Sequence, residues 1–247
     1  MVGSLEEGGW ATLLKSSIGN KIVADSADAE HSLALVGSLA TVTPEGRPKV
    51  RSVVLRGFLV PKQGEGIVEG VKAGNNIDSM PIFSTHLNTQ KISELQANSA
   101  CEVSFWIEET LEQFRIGGHI HILRMPKASE EEIDVDEGFL KFPIEYIRMS
   151  RVGDKDPLDI EGFTGDKETI LKKTYEEHSH YLKKWFSTQA PGSSLDEEKS
   201  EVEGLDNYCL MVLKADHVDY LNMCKSGHFR RIFTLEDGDW KIEKVEP

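Results

Sequence analysis

The run Arg47-Pro-Lys-Val-Arg-Ser-Val-Val-Leu-Arg-Gly-Phe58 most limits what this chain can become. Val50, Val53, Val54, Leu55 and Phe58 make it strongly β-forming. Polar and apolar residues do not alternate cleanly, so it reads as a strand covered on both faces. Arg51 and Arg56 nevertheless lie inside it. A guanidinium in covered sheet needs an anion or a carboxylate to meet it. Two readings stand: strand arginines paired with nearby Asp or Glu, or a strand carrying a bound anionic ligand along one side.

Around this strand the chain predicts a mainly β fold with flanking helices. Trp10, Leu13, Leu14 and Ile18 recur at helical spacing, with Gly19 and Asn20 as a stop, and Asp28 to Glu30 begin a short second helix. Ser38 to Thr43 reads as a strand, and the Pro44-Glu45-Gly46 turn joins it to the strand Pro48 to Val60 in a hairpin. The glycines at 64, 66, 70 and 74 sit in a loop; their spacing misses the GxGxxG dinucleotide pattern. Strands follow at Pro81 to Thr85, Ala100 to Ile107 and Gln113 to Leu123. Between the first two, Asn88 or Thr89 caps a short helix carrying Ile92 and Leu95, with Asn98 as its stop. From Pro126 to Asn207 the character is acidic and helical, with one long helix from Glu168 to Phe186 and mobile acid-rich residues at 197–203. Strands return at Tyr208 to Leu213, His217 to Asn222, Arg230 to Leu235 and Trp240 to Val245. Early and late strands need one another for cover, which predicts one antiparallel barrel with helices outside it. Residues 1–247 form a single domain on this reading, with a helical, acidic insertion at about 126–207.

Composition narrows function. The net charge of −14 argues against a broad nucleic-acid surface, while leaving room for an anionic small molecule bound by a few local cations. Cys101, Cys209 and Cys224 are odd in number and lack CxxC spacing, so reduced thiols and a cytoplasmic location are expected. No signal-peptide pattern and no apolar run of about 20 residues is present, so no membrane association is expected.

No GxSxG, HExxH or Walker A sequence occurs. His178 and His180, two apart on a helix, diverge and read as solvent-exposed. His119 and His121, two apart on a strand, share a face but have no evident third ligand, so no metal is expected. Cys101 reads as core. What remains is a set of anion-friendly positions: Arg51 and Arg56; Thr85, Thr89 and Lys91 at a strand-to-helix junction; Gln113 and Arg115. A helix start near Thr89 offers backbone N–H groups and a favourable dipole to a phosphate.

These residues carry a resemblance. Leu39-Ala-Thr-Val, Gly46-Arg-Pro, Arg51-Ser-Val-Val-Leu-Arg-Gly-Phe, Ser84-Thr85, Thr89-Gln-Lys91, Phe105-Trp106, Glu112-Gln-Phe-Arg-Ile-Gly, Arg230-Arg231 and the C-terminal Trp240-Lys-Ile-Glu-Lys-Val-Glu-Pro stand in the order found in the FMN-binding split-barrel proteins related to pyridoxamine 5′-phosphate oxidase. The chain resembles that family over Trp10 to about Leu123 and again from Tyr220 to Pro247. The resemblance implies FMN as cofactor. It places Arg51 and Arg56 at the phosphate, the backbone of Val53, Val54 and Leu55 at the flavin edge, and Ser84 and Thr85 in contact with FMN. It also implies Lys91, beside Thr89, on the phosphate, Gln113 reaching the flavin from a partner subunit, and Arg230 or Arg231 near the ring. It further implies a homodimer and hydride transfer from pyridoxamine or pyridoxine 5′-phosphate, or another small planar molecule, to flavin N5, with oxygen as reoxidant. Simpler roles stand beside these: Thr89 as a helix cap, Trp106 as core, Gln113 as an exposed strand residue. The chain departs from the family at Gln90, where Arg is usual, at Leu221, where a Trp is usual nearby, and at the Arg-x-His motif, of which only parts remain. No residues on a middle helix match the family's substrate-phosphate ligands. The alternative is therefore an FMN-binding protein without oxidase activity, serving flavin buffering or redox sensing.

Overall fold

The computed structural model describes residues 9–25, 35–61, 79–126, 140, 143–148, 162–188, 191, 203–225 and 227–247. The helix expected at 28–30, the glycine-bearing loop at 64–74 and most of the acidic loop at 197–203 lie outside them.

The hairpin predicted around Gly46 is present. Strands β1 (Val36–Val42) and β2 (Pro48–Pro61) pair antiparallel from Val36↔Val54 to Val42↔Pro48. β4 (Ala100–Ile107) joins the free edge of β1, β5 (Glu112–Arg124) pairs β4, and β8 (Tyr208–Asn222) pairs β5. β3 (Met80–His86) pairs both β2 and β8. That double pairing turns an open sheet into a closed ring of six strands, β1-β2-β3-β8-β5-β4. β9 (Phe229–Glu236) and β10 (Asp239–Val245) extend the sheet from β8. β6 (Ile144–Arg148) and β7 (Gly162–Gly165) extend it from β2. The antiparallel barrel is as expected, but β6 and β7 fall in the stretch read from sequence as acidic and helical.

Two apolar cores result. One fills the barrel with Leu39, Val53, Leu55, Phe83, Val103, Phe105, Phe114 and Ile116, and is sealed by Trp10, Leu13, Leu14 and Ile18 of α1 (Trp10–Asp25). α1 runs past Gly19 and Asn20, contrary to the predicted stop. A mid-helix glycine costs only about 1 kcal/mol against alanine, which burial of the preceding turns offsets. The second core lies outside the barrel wall. There Leu59, Ile82, Leu210 and Val212 meet Ile170 and Leu171 of α3 (Lys167–Glu176) and Phe186 of α4 (His180–Phe186).

The single helix predicted from Glu168 to Phe186 is thus two. Asp166 caps α3 by accepting from the Thr169 N–H at 2.8 Å, and Ser179 caps α4 by accepting from the Leu182 N–H. The break between them lets His178 turn into the second core, where it is 8% exposed, against the expectation of a solvent-facing ring. His180 is exposed as predicted.

β8 is likewise one strand where two were predicted. Gly117 pairs His217 and Gly118 pairs Ala215, so Asp216 is the extra residue of a bulge.

Candidate functional site

α2 (Gln90–Ala97) starts directly after β3, with Thr89 at its N-cap, and stands across the mouth of the barrel beside β1 and β2. Thr89 does not cap with its side chain; its hydroxyl donates to the His86 carbonyl, which leaves its lone pairs facing Lys91. The Lys91 ammonium donates to the Thr85 hydroxyl at 3.0 Å and to the Thr89 hydroxyl at 3.2 Å. Burial, with Arg51 nearby, pulls the Lys91 pKa below its ordinary value. Two cations held close in a half-buried site favour an anion between them.

Arg51 reaches the same region from β2. Its guanidinium donates to Glu94 of α2 at 2.6 Å and to the Thr41 hydroxyl, which itself donates to Glu94 at 2.6 Å. The Glu94 side chain is 2% exposed and the Arg51 side chain 21%. The other Glu94 oxygen, Oε1, is buried without a hydrogen-bond partner among the described residues. Of the two readings offered for Arg51, the carboxylate partner is present, and with Thr41 it ties the guanidinium to the α2 face that carries Glu94. Of the anion-friendly positions, Thr85, Thr89 and Lys91 come together here, with Arg51 near enough to act on the Lys91 charge.

Arg56 does not join them. Five residues along β2 from Arg51, its side chain leaves by the opposite face, toward the second core. Its Nε donates to the Ser84 hydroxyl at 3.0 Å, and Ser84 meets His178 Nε2 at 2.7 Å. His178 Nδ1 lies 2.7 Å from the Thr174 carbonyl. The Tyr146 hydroxyl closes the group, its one proton shared between Glu177 at 3.0 Å and the Arg56 carbonyl at 3.2 Å. Sequence reasoning missed His178 because a helix unbroken through Glu177 would have turned its ring outward. Ser179, a strong N-cap residue, was the available signal.

Burial and the Arg56 charge push the His178 pKa down to about 4 from an ordinary 6.5. The folded value is depressed, so the unfolded chain binds the proton first and stability falls as pH drops from about 6.5 toward 4. Between pH 7 and pH 5 the wild type should lose roughly 1–2 kcal/mol more unfolding free energy than His178→Gln. Urea titrations at the two pH values measure the difference.

The other predicted positions lie elsewhere. Val53 and Leu55 point into the barrel core, and Val54 faces outward opposite Val36. The Leu55 N–H is taken by the Leu35 carbonyl at 2.9 Å, so this backbone group is not open to a ligand. Gln113 lies on the outer barrel face, paired with Trp106 and Leu221; Trp106 is 46% exposed and does not fill the core. Arg230 is in the same row but is held bidentate by Asp219 at 2.8 and 2.7 Å. Asp219 also meets Arg115 at 3.4 Å. Arg231 opposes Tyr220, on the other side of the sheet, with its guanidinium over the Phe229 ring. His228, Arg230, Arg231 and Lys244 line a cleft of about 380 Å³ at the C-terminal hairpin. Cys101 is half-buried and its thiol is pushed up to about 12 by burial. Among the described residues no three His, Cys, Asp or Glu groups gather as a metal site, and no helix is long and apolar enough to cross a membrane.

Known proteins share this chain's sequence pattern and fold. Residues 7–124 match the family described as "Pyridoxamine 5'-phosphate oxidase, FMN-binding domain". The chain is 25% identical over 250 residues to pyridoxine/pyridoxamine 5'-phosphate oxidase 2 of Arabidopsis thaliana, covering 96% of each. Its fold resembles a pyridoxamine 5'-phosphate oxidase-related, FMN-binding protein of Nostoc punctiforme, with a TM-score of 0.63, 18% identity, and coverage of 97% of this chain and 98% of that one. It also resembles PhzG of Burkholderia lata, with a TM-score of 0.51, 16% identity, and coverage of 96% and 92%. The closed antiparallel barrel and the match across its first strands agree: residues 7–124 match the pyridoxamine 5'-phosphate oxidase FMN-binding domain, and the whole chain shares the fold of FMN-binding split barrels.

Proposed function

We propose that this chain holds FMN with the phosphate in the Arg51–Thr85–Thr89–Lys91 cradle, and acts as an FMN-dependent oxidase on pyridoxamine or pyridoxine 5′-phosphate, or a similar small planar molecule. The observation that carries the reading is the Lys91 ammonium fixed by two threonine hydroxyls beside Arg51 at the start of α2. A phosphate there gains the N-terminal field of α2 and charge-assisted hydrogen bonds of about 1.5–3 kcal/mol each. Glu94 and Thr41 hold Arg51 in position before any ligand arrives, so little side-chain entropy remains to be lost on binding. On the other face of the β2–β3 pair, Arg56 and Ser84 supply polar groups for the ring or the substrate. Bound FMN supplies a two-electron acceptor for hydride from a substrate carbon, with oxygen as the final oxidant. The cleft at the C-terminal hairpin sets Arg231 and Lys244 beside Glu246, so it offers a substrate groups of both signs.

The bidentate Asp219–Arg230 pair favours a second reading. An arginine so engaged is less available to a substrate, as in an FMN-binding protein without oxidase activity. Both readings predict a retained two-band flavin spectrum after FMN addition and desalting. Peroxide release on adding either phosphorylated vitamer supports the oxidase; a flavin spectrum without turnover supports the binding protein. A colourless protein refutes both.

The same proposal includes a homodimer. Val50 and Val36 are 68% and 51% exposed on the outer barrel face, and Trp106, Val54 and Leu221 lie on that face as well. A second copy covering this face would bury those side chains and carry Gln113 to the neighbouring cradle. Trp106→Asp should then shift the protein from dimer to monomer in analytical ultracentrifugation and weaken FMN retention. A variant that sediments as the wild type does would count against this interface. Three cysteines that form no disulfide among the described residues, and the acidic net charge, fit a cytoplasmic protein that does not bind nucleic acid.

A further inference from the structure

We infer that His178 is a positioning residue that fixes Ser84 as a hydrogen-bond acceptor, so that Ser84 and Arg56 together recognise an imide edge, a carbonyl next to an N–H. The assignment of that edge to FMN rests on the flavin reading above; the relay itself does not.

The argument follows the protons. The Thr174 carbonyl can only accept, so His178 Nδ1, 2.7 Å away, carries a hydrogen. With the ring neutral, Nε2 is then a bare lone pair, and burial beside Arg56 keeps it neutral. The Ser84 hydroxyl, 2.7 Å from Nε2, must donate its one proton there. One Ser84 lone pair takes the Arg56 Nε–H at 3.0 Å. Ser84 is left with a single open lone pair and no proton to offer. Arg56, held by the same contact, retains its terminal N–H groups as donors. The pair therefore presents an acceptor beside a donor.

The arrangement is rigid. The His178 ring packs edge-on against Phe186 at 5.5 Å and Tyr208 at 5.4 Å, and its anchor, Thr174, lies within α3. The pyrimidine edge of an oxidised flavin offers the complementary pattern, with N3–H as its only ring donor between two carbonyls. A ligand with an acceptor opposite Ser84 would meet lone pair against lone pair.

Two measurements test this. Nitrogen-15 NMR of His178 in the purified protein without added FMN should show the Nδ1–H tautomer with unprotonated Nε2. An Nε2–H tautomer overturns the relay. Fluorescence-quenching titrations should then compare FMN with N3-methyl-FMN in the wild type, Ser84→Ala, His178→Phe and His178→Gln, each checked for fold by circular dichroism. The wild type should prefer FMN by about tenfold, of the order of one hydrogen bond lost with its donor. Ser84→Ala and His178→Phe should bring the preference toward unity, because one lacks the oxygen and the other frees its proton. His178→Gln, which keeps an acceptor at the place of Nε2, should retain it. An unchanged preference in Ser84→Ala overturns the imide assignment. A wild type that takes up no FMN refutes the flavin reading and the imide assignment with it, while the tautomer still decides the relay.

Discussion

Arg51→Ala should weaken FMN binding by about 10- to 100-fold, the loss expected for one or more charge-assisted hydrogen bonds to a phosphate. It should also lower the unfolding free energy by about 3–5 kcal/mol, as when one partner of a buried ion pair is removed. The second effect arises because Glu94 is almost fully buried, already has one unpartnered oxygen, and would keep only the Thr41 hydroxyl. The two effects separate in a double variant. Arg51→Leu with Glu94→Leu removes both charges, so much of the stability should return while FMN affinity stays at least tenfold below wild type. Isothermal titration with FMN and urea unfolding of the three proteins measure both quantities. Arg51→Ala binding FMN at wild-type affinity would remove Arg51 from the cradle.

Gly118→Ala should be among the most destabilising single-atom changes in the chain, by more than about 3 kcal/mol, while Gly117→Ala should change stability by less than about 1 kcal/mol. A Cβ at Gly118 would stand 2.0 Å from the Lys214 carbonyl oxygen and 2.9 Å from the Ala215 Cα, both backbone atoms that cannot swing aside. At Gly117 the nearest atoms are 3.7 Å away, an ordinary contact. The difference comes from the bulge at Asp216, which drives the β8 backbone against β5 at one glycine and not at its neighbour. Thermal denaturation of the two variants side by side is the measurement. Equal midpoints would mean that β8 relaxes its bulge at no cost.

How much of this was legible in the sequence depended on the range of the physics. The Gly46 hairpin, the Thr89 helix start and the strand edges near Ala100 and Ile107 follow from turn chemistry and periodicity, which act over a few residues. The cradle was legible as a set because Thr85, Thr89 and Lys91 lie within one turn-and-helix step. Arg56 was misassigned to it because strand parity was not applied across five residues. The split of the long helix, the continuity of β8 through its bulge, and strands β6 and β7 depend on tertiary cover: His178 needs Phe186 and Tyr208 to bury it, and β6 needs the outer edge of β2. Tyr208 and the β2 edge are distant in sequence from what they cover.

The closure of the barrel by β3 bears on how the chain is made. Residues 7–124 contain β1 to β5, and β3 and β5 in that segment each present an edge that, among the described residues, β8 pairs. On the ribosome these strands emerge first and must wait for roughly the remaining half of the chain before the ring can shut. Pairings between such distant segments are slow to form, and open strand edges invite pairing with other chains in the interval. The segment that matches the family model therefore lacks the strand that closes its own barrel.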